Sequence, residues 1–173
     1  MNAGFFKRLG AFVLLCIVQI LVLNNIHLFG CATPLLYAMF VLSFNRNYPR
    51  WAILLWCFTL GLVIDISSNT PGLAAGTMTL LGLLQPYILI PFIPRDSAED
   101  FQPTMRTLGF VKFMYYTMLC VFIYSLCFFS LEVFSFFNWR QWLFNMIGSW
   151  ALTVVLILVI ENVIRNERRE QQS

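Results

Sequence analysis

Six apolar runs, separated by short polar stretches, make up most of the chain. The runs cover residues 9–28, 33–44, 51–66, 72–93, 109–131 and 142–164. A helix rises 1.5 Å per residue, so about 20 apolar residues cross a bilayer core of about 30 Å. The pattern therefore predicts six transmembrane helices in one compact bundle. The second run is short and is expected to borrow flanking residues or to thin the bilayer.

Composition supports a membrane location. The chain of 173 residues is 60% hydrophobic and 11% charged, whereas soluble domains carry about 25% charged residues. We therefore expect an all-α integral membrane protein with a single domain, residues 1–173, and no separate soluble domain. The net charge of +3 does not indicate a nucleic-acid partner, because in a membrane protein the positions of the positive residues matter more than their sum.

The basic residues predict the orientation. Six spans place both termini on one side of the membrane. If that side is the cytoplasm, only Arg140 of the 11 Lys and Arg residues lies outside. Cytoplasmic loops are enriched in Lys and Arg, so the sequence predicts that both termini lie in the cytoplasm.

Candidate chemistry is sparse. His27 is the only histidine, and the five cysteines form no C-x-x-C pair, so no metal site is expected. The chain has no H-E-x-x-H motif, no G-x-S-x-G motif and no phosphate-binding Gly-rich loop. We expect no catalytic residue and no cofactor, and hence a protein that is not an enzyme.

The most informative stretch is the turn between the third and fourth apolar runs. Asp65 precedes a polar stretch that contains Pro71 and Gly72, a strong turn signal. An ionisable residue at a membrane segment usually has a partner or a task. One interpretation is structural: Asp65 accepts N–H bonds from the turn or from the start of the fourth helix. The other is a proton or ligand site.

Small residues flank this turn at helical spacing. Gly61 lies one turn before Asp65, and Gly72 and Gly76 form a small-xxx-small pair. A second set shares one predicted helix face: Ala75, Thr79, Gly82 and Pro86. Small residues at such spacing let membrane helices approach closely, so both sets are predicted helix contacts.

The polar loop 95–108 is the longest connection. It carries three acidic residues, Asp96, Glu99 and Asp100. Its length makes it the best candidate for a contact with a cytoplasmic partner, although a solvated loop is the simpler interpretation.

The motif at residues 61–72, Gly-Leu-Val-Ile-Asp followed by Ser67 to Gly72, resembles the rod shape-determining protein MreD family. Three segments are similar to its Bacteroidetes-type members: TPGLAA at residues 70–75, Gln85-Pro86-Tyr87, and residues 32–35. The predicted topology agrees with that of the family over the whole chain, whereas the specific motif covers only about residues 61–87. Many relatives carry His and Arg where this chain has Ala74 and Gln85, so no role is transferred to these two positions.

The resemblance implies a non-enzymatic, multi-pass subunit of the cell-elongation complex in the bacterial inner (cytoplasmic) membrane, which supports peptidoglycan synthesis and cell shape. The implied partners are an MreC-like protein, the MreB-like cytoskeletal protein, a RodA-type glycosyltransferase with its transpeptidase, and membrane lipid. The family is also similar in size and topology to the substrate-binding components of energy-coupling-factor vitamin transporters, which gives the alternative function. Those components carry an alanine ladder in the first helix, whereas the first span here has only Ala11.

Overall fold

A computed structural model describes residues 2–21, 34–45, 47–93, 101–132 and 139–170. In these ranges the regular structure is entirely helical. The helices are α1 (Asn2–Leu21), α2 (Ala38–Leu42), α3 (Arg50–Ser68), α4 (Leu73–Leu89), a 3₁₀ helix (Ile90–Phe92), α5 (Met105–Leu108), α6 (Phe110–Glu132) and α7 (Trp139–Glu170).

Four of these helical segments are long and apolar enough to cross a membrane. They span Arg50–Ser68 (19 residues), Leu73–Phe92 (20), Phe110–Glu132 (23) and Arg140–Asn166 (27). At 1.5 Å per residue each is about as long as the hydrocarbon core is thick, or longer. They coincide with the last four predicted spans. The protein is therefore an all-α, multi-pass membrane protein.

The first two predicted spans have a different outcome. The apolar part of α1 covers Arg8–Leu21, and the rest of the predicted span 9–28 lies outside the described residues. The described part of the predicted span 33–44 contains only α2, a helix of five residues. Six spans are thus not confirmed. Pro34 restricts the start of this segment, because proline offers no N–H to a helix and disfavours helical geometry in the preceding residue.

The segment 34–44 lies inside the bundle. Leu35, Tyr37 and Phe44 are each at most 3% exposed, and Ala38 and Val41 are completely buried. The segment packs against α1, α4 and α6, and the Phe12 and Phe40 rings meet edge to face. Backbone that is not in a long helix is tolerated at membrane depth only where protein covers it, and here the helices cover it.

Antiparallel neighbours form the rest of the bundle. α3 and α4 make a hairpin, α4 packs on α6, and α6 packs on α7. Near one end, the Gln85 amide donates to the Tyr116 hydroxyl at 3.0 Å, which joins the end of α4 to the beginning of α6. Farther along, the Trp150 indole N–H donates to Met118 O at 3.0 Å and joins α7 to α6.

Basic residues gather at one end of this bundle. The Arg8 guanidinium lies 3.8 Å from the centre of the Tyr48 ring, just before α3. Arg50, at the start of α3, donates to the Tyr87 hydroxyl near the end of α4. Arg106 in α5 and Arg165 near the end of α7 share a cavity at this same end. The opposite end holds the Asp65 turn and the start of α7.

Candidate functional site: the Asp65 turn

The turn between α3 and α4 is four residues long, from Asn69 to Gly72. Asn69 ends α3 with a φ of 57°, the left-handed conformation that Asn tolerates better than most residues. The N–H groups of Asn69 and Thr70 both donate to the Asp65 carbonyl oxygen. Gly72 has a φ of 84°, which glycine adopts without strain. Pro71, between them, has the fixed φ that suits a tight turn.

The Asp65 side chain holds the start of α4. Its Oδ1 atom accepts the Ala74 N–H at 2.8 Å, and its Oδ2 atom accepts the Ala75 N–H at 2.8 Å. The Thr70 hydroxyl adds a third bond to Oδ1 at 3.1 Å. Helix N-termini leave their first N–H groups without an intrahelical acceptor and attract negative charge. Asp65 satisfies two of these groups and is only 4% exposed.

This arrangement shows the hydrogen bonds that the structural interpretation of Asp65 predicts. Gly72 is the N-cap residue of α4 and supplies no side-chain cap. Asp65, in the preceding helix, supplies the acceptor in its place. Both carboxylate oxygens are used within the hairpin, so the geometry is that of a capping residue.

Gly61 and Gly82 lie at close contacts between α3 and α4. A Cβ atom on Gly61 would stand 2.5 Å from Ala75 Cα and 2.6 Å from the Ala74 carbonyl oxygen. A Cβ atom on Gly82 would stand 2.8 Å from Cys57 Sγ. Carbon atoms do not approach each other this closely, so only glycine fits at Gly61 with the backbones in place.

The other predicted packing residues are placed differently. Thr79 and Pro86 are half-buried, and the Thr79 hydroxyl donates to Ala75 O at 2.7 Å within its own helix. Gly72 and Gly76 are exposed, and a Cβ atom on either would meet no atom within 4 Å. Within the described chain, the Gly72/Gly76 pair therefore makes no close helix contact, and Gly61 and Gly82 make it instead.

An open apolar groove of about 510 Å³ runs beside the turn. The exposed side chains of Phe58, Leu62 and Ile66 line it along α3, and Gly72 and Ala75 line it along α4. Asp65 borders the groove, but its oxygens are hydrogen-bonded to α4. The exposed Gly76 follows on the same helix.

Sequence reasoning missed a set of polar contacts inside the bundle. The Tyr37 and Tyr124 hydroxyls share a hydrogen bond. The Gln19 amide donates to Pro34 O at 2.9 Å, and the Leu35 N–H donates to the Thr153 hydroxyl at 3.0 Å. The signal for these contacts is a single polar residue in an apolar helix, as at Gln19, because such a group needs a partner when buried.

The loop acids Asp96, Glu99 and Asp100 lie outside the described residues. Among the residues that the structure describes, no three His, Cys, Asp or Glu side chains come together as metal ligands. Comparison of the chain with family models, with curated proteins and with solved structures finds no match.

Proposed function

We propose that this protein is a non-enzymatic subunit of the bacterial cell-elongation complex, of the MreD type, in the inner membrane. It would support peptidoglycan synthesis and cell shape by holding its partners together. The expected partners are an MreC-like protein, the MreB-like cytoskeletal protein and a RodA-type glycosyltransferase with its transpeptidase. The observation that carries the proposal is the motif at residues 61–87, because the resemblance rests on it.

The geometry of the motif supports a scaffolding role. Its conspicuous residues are used to build the α3–α4 hairpin: Gly61 permits the close approach, and Asp65 caps α4. A carboxylate with both oxygens accepting backbone N–H groups is suited to fixing a helix pair rather than to exchanging a substrate. The motif thus fits a protein that presents a rigid surface.

The exposed face of this hairpin is suited to contacts in the bilayer. Leu55, Phe58, Leu62 and Ile66 are exposed large apolar residues on α3, and the open position of Gly76 lies on α4. Small residues at membrane-helix interfaces allow close approach of a second helix. We assign this face to a partner helix, and the acidic loop 95–108 to a cytoplasmic contact.

The distribution of charge supports the orientation. One end of the bundle holds Arg8, Arg50, Arg106 and Arg165, whereas Arg140 lies in the first turn of α7 at the other end. Positive residues favour the cytoplasmic side. Both termini are therefore assigned to the cytoplasm and the Asp65 turn to the opposite face.

Purification of the tagged protein from native membranes tests the function. A scaffold should co-purify with an MreC-like protein, and its depletion should make cells round or wide. A vitamin-binding subunit should instead co-purify with ATPase subunits and hold a small ligand. Recovery of transporter ATPases without any wall-synthesis protein would overturn the proposal.

A pair of glycine variants tests the assigned face. Gly76 and Gly10 are both exposed helical glycines whose Cβ would meet no atom within 4 Å. Gly76→Leu should reduce recovery of the partner by steric exclusion, whereas Gly10→Leu, on α1, should leave it unchanged. Equal recovery in both variants would show that the Gly76 face meets lipid.

A further inference from the structure

A basic cavity lies between the start of α6 and the end of α7, away from the Asp65 turn. Its volume is about 490 Å³. Arg106 from α5 and Arg165 from α7 line it, together with Glu161 and the apolar residues Met105, Phe110 and Ile164. Two separate helical elements therefore bring two arginines to the lining of one cavity.

The two arginines have no partner within the described residues. Glu161 lies four residues before Arg165, a spacing at which ion pairs form on helices. Its Oε1 atom instead accepts the Met105 N–H at 3.3 Å. Arg106 is exposed and Arg165 is half-buried. Guanidinium groups present several N–H donors in a planar fork that matches phosphate oxygens, and here those donors remain available.

The lengths of α6 and α7 lead us to expect the cavity at the depth of lipid headgroups. The membrane-spanning segment of α6 begins at Phe110, and that of α7 ends at Asn166. These segments of 23 and 27 residues exceed the length needed to cross a hydrocarbon core of about 30 Å, so their ends reach the interfacial region. Phe110 is 51% exposed and gives the cavity an exposed apolar edge.

We propose that this cavity binds the phosphate of an anionic phospholipid headgroup. Arg106 and Arg165 contact the phosphate oxygens, and the acyl chains lie along Phe110 and Ile164. The lining carries two positive charges against one negative charge, which favours a lipid with net negative charge over a zwitterionic one. Basic pockets between membrane helices are suited to such headgroups. This inference does not depend on which complex the protein joins.

Lipid titration of the full-length protein tests the proposal. The protein is purified in detergent, stripped of lipid and titrated with phosphatidylglycerol or phosphatidylcholine, and bound lipids are counted by native mass spectrometry. One phosphatidylglycerol should be retained in preference to phosphatidylcholine. The double variant Arg106→Gln/Arg165→Gln should lower the affinity by about tenfold or more, because both charge-assisted bonds to the phosphate are lost.

A charge-matched control is available in the same chain. Arg50→Gln/Arg140→Gln removes two positive charges outside the cavity, and it should leave phosphatidylglycerol binding within about twofold, since screened exposed charges contribute little. Arg106→Lys/Arg165→Lys keeps the charge and should bind more tightly than the glutamine variant. Thermal unfolding without lipid shows whether each variant is folded.

Three results would overturn the proposal. The first is equal retention of phosphatidylglycerol by the wild type and a folded Arg106→Gln/Arg165→Gln variant. The second is equal affinity of the wild type for phosphatidylcholine. The third is stabilisation of the wild type by inorganic phosphate as strong as that by phosphatidylglycerol, because a free anion would then occupy the cavity without help from the apolar wall.

Discussion

At the scale of single residues, Asp65 replaces the side-chain cap that Gly72 lacks. Its acceptor atoms lie nine and ten residues before the N–H groups that they bind. A local N-cap would fix only the first turn of α4. Asp65 also ties that turn to the last turns of α3, so one side chain fixes both the helix start and the hairpin geometry.

Substitutions at Asp65 should separate its hydrogen bonds from its charge. Asp65→Leu leaves two buried N–H groups without an acceptor, at about 1–3 kcal/mol each. Asp65→Asn keeps one acceptor oxygen, so its free energy of unfolding should fall by about half as much as that of Asp65→Leu. Thermal unfolding of the purified variants in detergent measures the difference. Equal destabilisation by Asn and Leu would mean that the negative charge at the start of α4, rather than the acceptor oxygen, provides the stability. The proton or ligand interpretation gains if both variants lose function equally at equal protein levels.

The sequence indicates the surroundings of Asp65 but not those of Tyr37. The turn signal after Asp65 places acceptor and donors within ten residues, so local rules suffice. The Tyr37 hydroxyl meets Tyr124, which is 87 residues away. No local pattern fixes such a pair, because it depends on how segment 34–44 enters the bundle. Buried polar partners of this kind follow from tertiary packing alone.

At the scale of elements, the α3–α4 hairpin depends on Gly61 in α3 and Gly82 in α4, each of which contacts the other helix. The exposed pair Gly72 and Gly76 makes no such contact. The sequence predicts that small residues near the turn make helix contacts, but spacing alone does not tell which face of α4 meets α3. Gly76 fits the small-xxx-small pattern, yet a Cβ atom on it would meet no atom within 4 Å. Gly61 lies on α3, where the only sequence signal is its position one turn before Asp65.

Alanine substitutions should distinguish the two kinds of glycine. Gly61→Ala places a Cβ 2.5 Å from Ala75 Cα, which forces the helices apart and should cost about 1–3 kcal/mol or more. Gly76→Ala adds a Cβ in open space and should be neutral or stabilising by up to about 1 kcal/mol. Unfolding of both variants in detergent gives the comparison. A Gly61→Ala protein as stable as Gly76→Ala would contradict the close contact.

The segment 34–44 shows where hydropathy fails as a guide. Its apolar residues resemble a membrane span, but they are buried against α1, α4 and α6. An apolar side chain gives the same hydropathy whether protein or lipid surrounds it, so sequence cannot separate the two cases in a short run. The last four spans are longer, and their length restricts the interpretation to a crossing helix.

Thr153 should contribute to the stability of the protein, because its hydroxyl holds the buried segment 34–44 in place. Its hydroxyl accepts the Leu35 N–H at 3.0 Å, and both groups are buried. Thr153→Val removes the acceptor with little change in shape and should destabilise the protein by about 1–3 kcal/mol. The control is Thr59→Val, because the Thr59 hydroxyl is exposed and bonds only its own helix at Leu55 O. Thr59→Val should change stability by less than about 0.5 kcal/mol, and an equal loss in both variants would argue against the anchor.

At the scale of the whole molecule, the contacts place the beginning and the end of the described chain at one end of the bundle. Arg8 lies against Asn45 and Tyr48, before α3. Glu161, near the end of α7, accepts from Met105, before α6. The Phe92 and Tyr116 rings connect the 3₁₀ helix after α4 to the beginning of α6. The charge pattern of the sequence predicts this arrangement, because it assigns every basic residue except Arg140 to one side.

Reporter fusions should show that the chain termini and the Asp65 turn face opposite sides of the membrane. A reporter that works only in the cytoplasm should be active when fused after Ser173. A reporter that works only outside the cytoplasm should be active when inserted between Asn69 and Thr70. We expect this orientation because one end of the bundle carries Arg8, Arg50, Arg106 and Arg165, and positively charged loops stay in the cytoplasm. As a control, a cytoplasmic reporter in the loop 95–108 should match the Ser173 fusion, because α7 returns to the side from which α6 begins. A reporter after Ser173 that is active outside the cell would reverse the orientation, and it would also move the proposed lipid cavity to the outer leaflet.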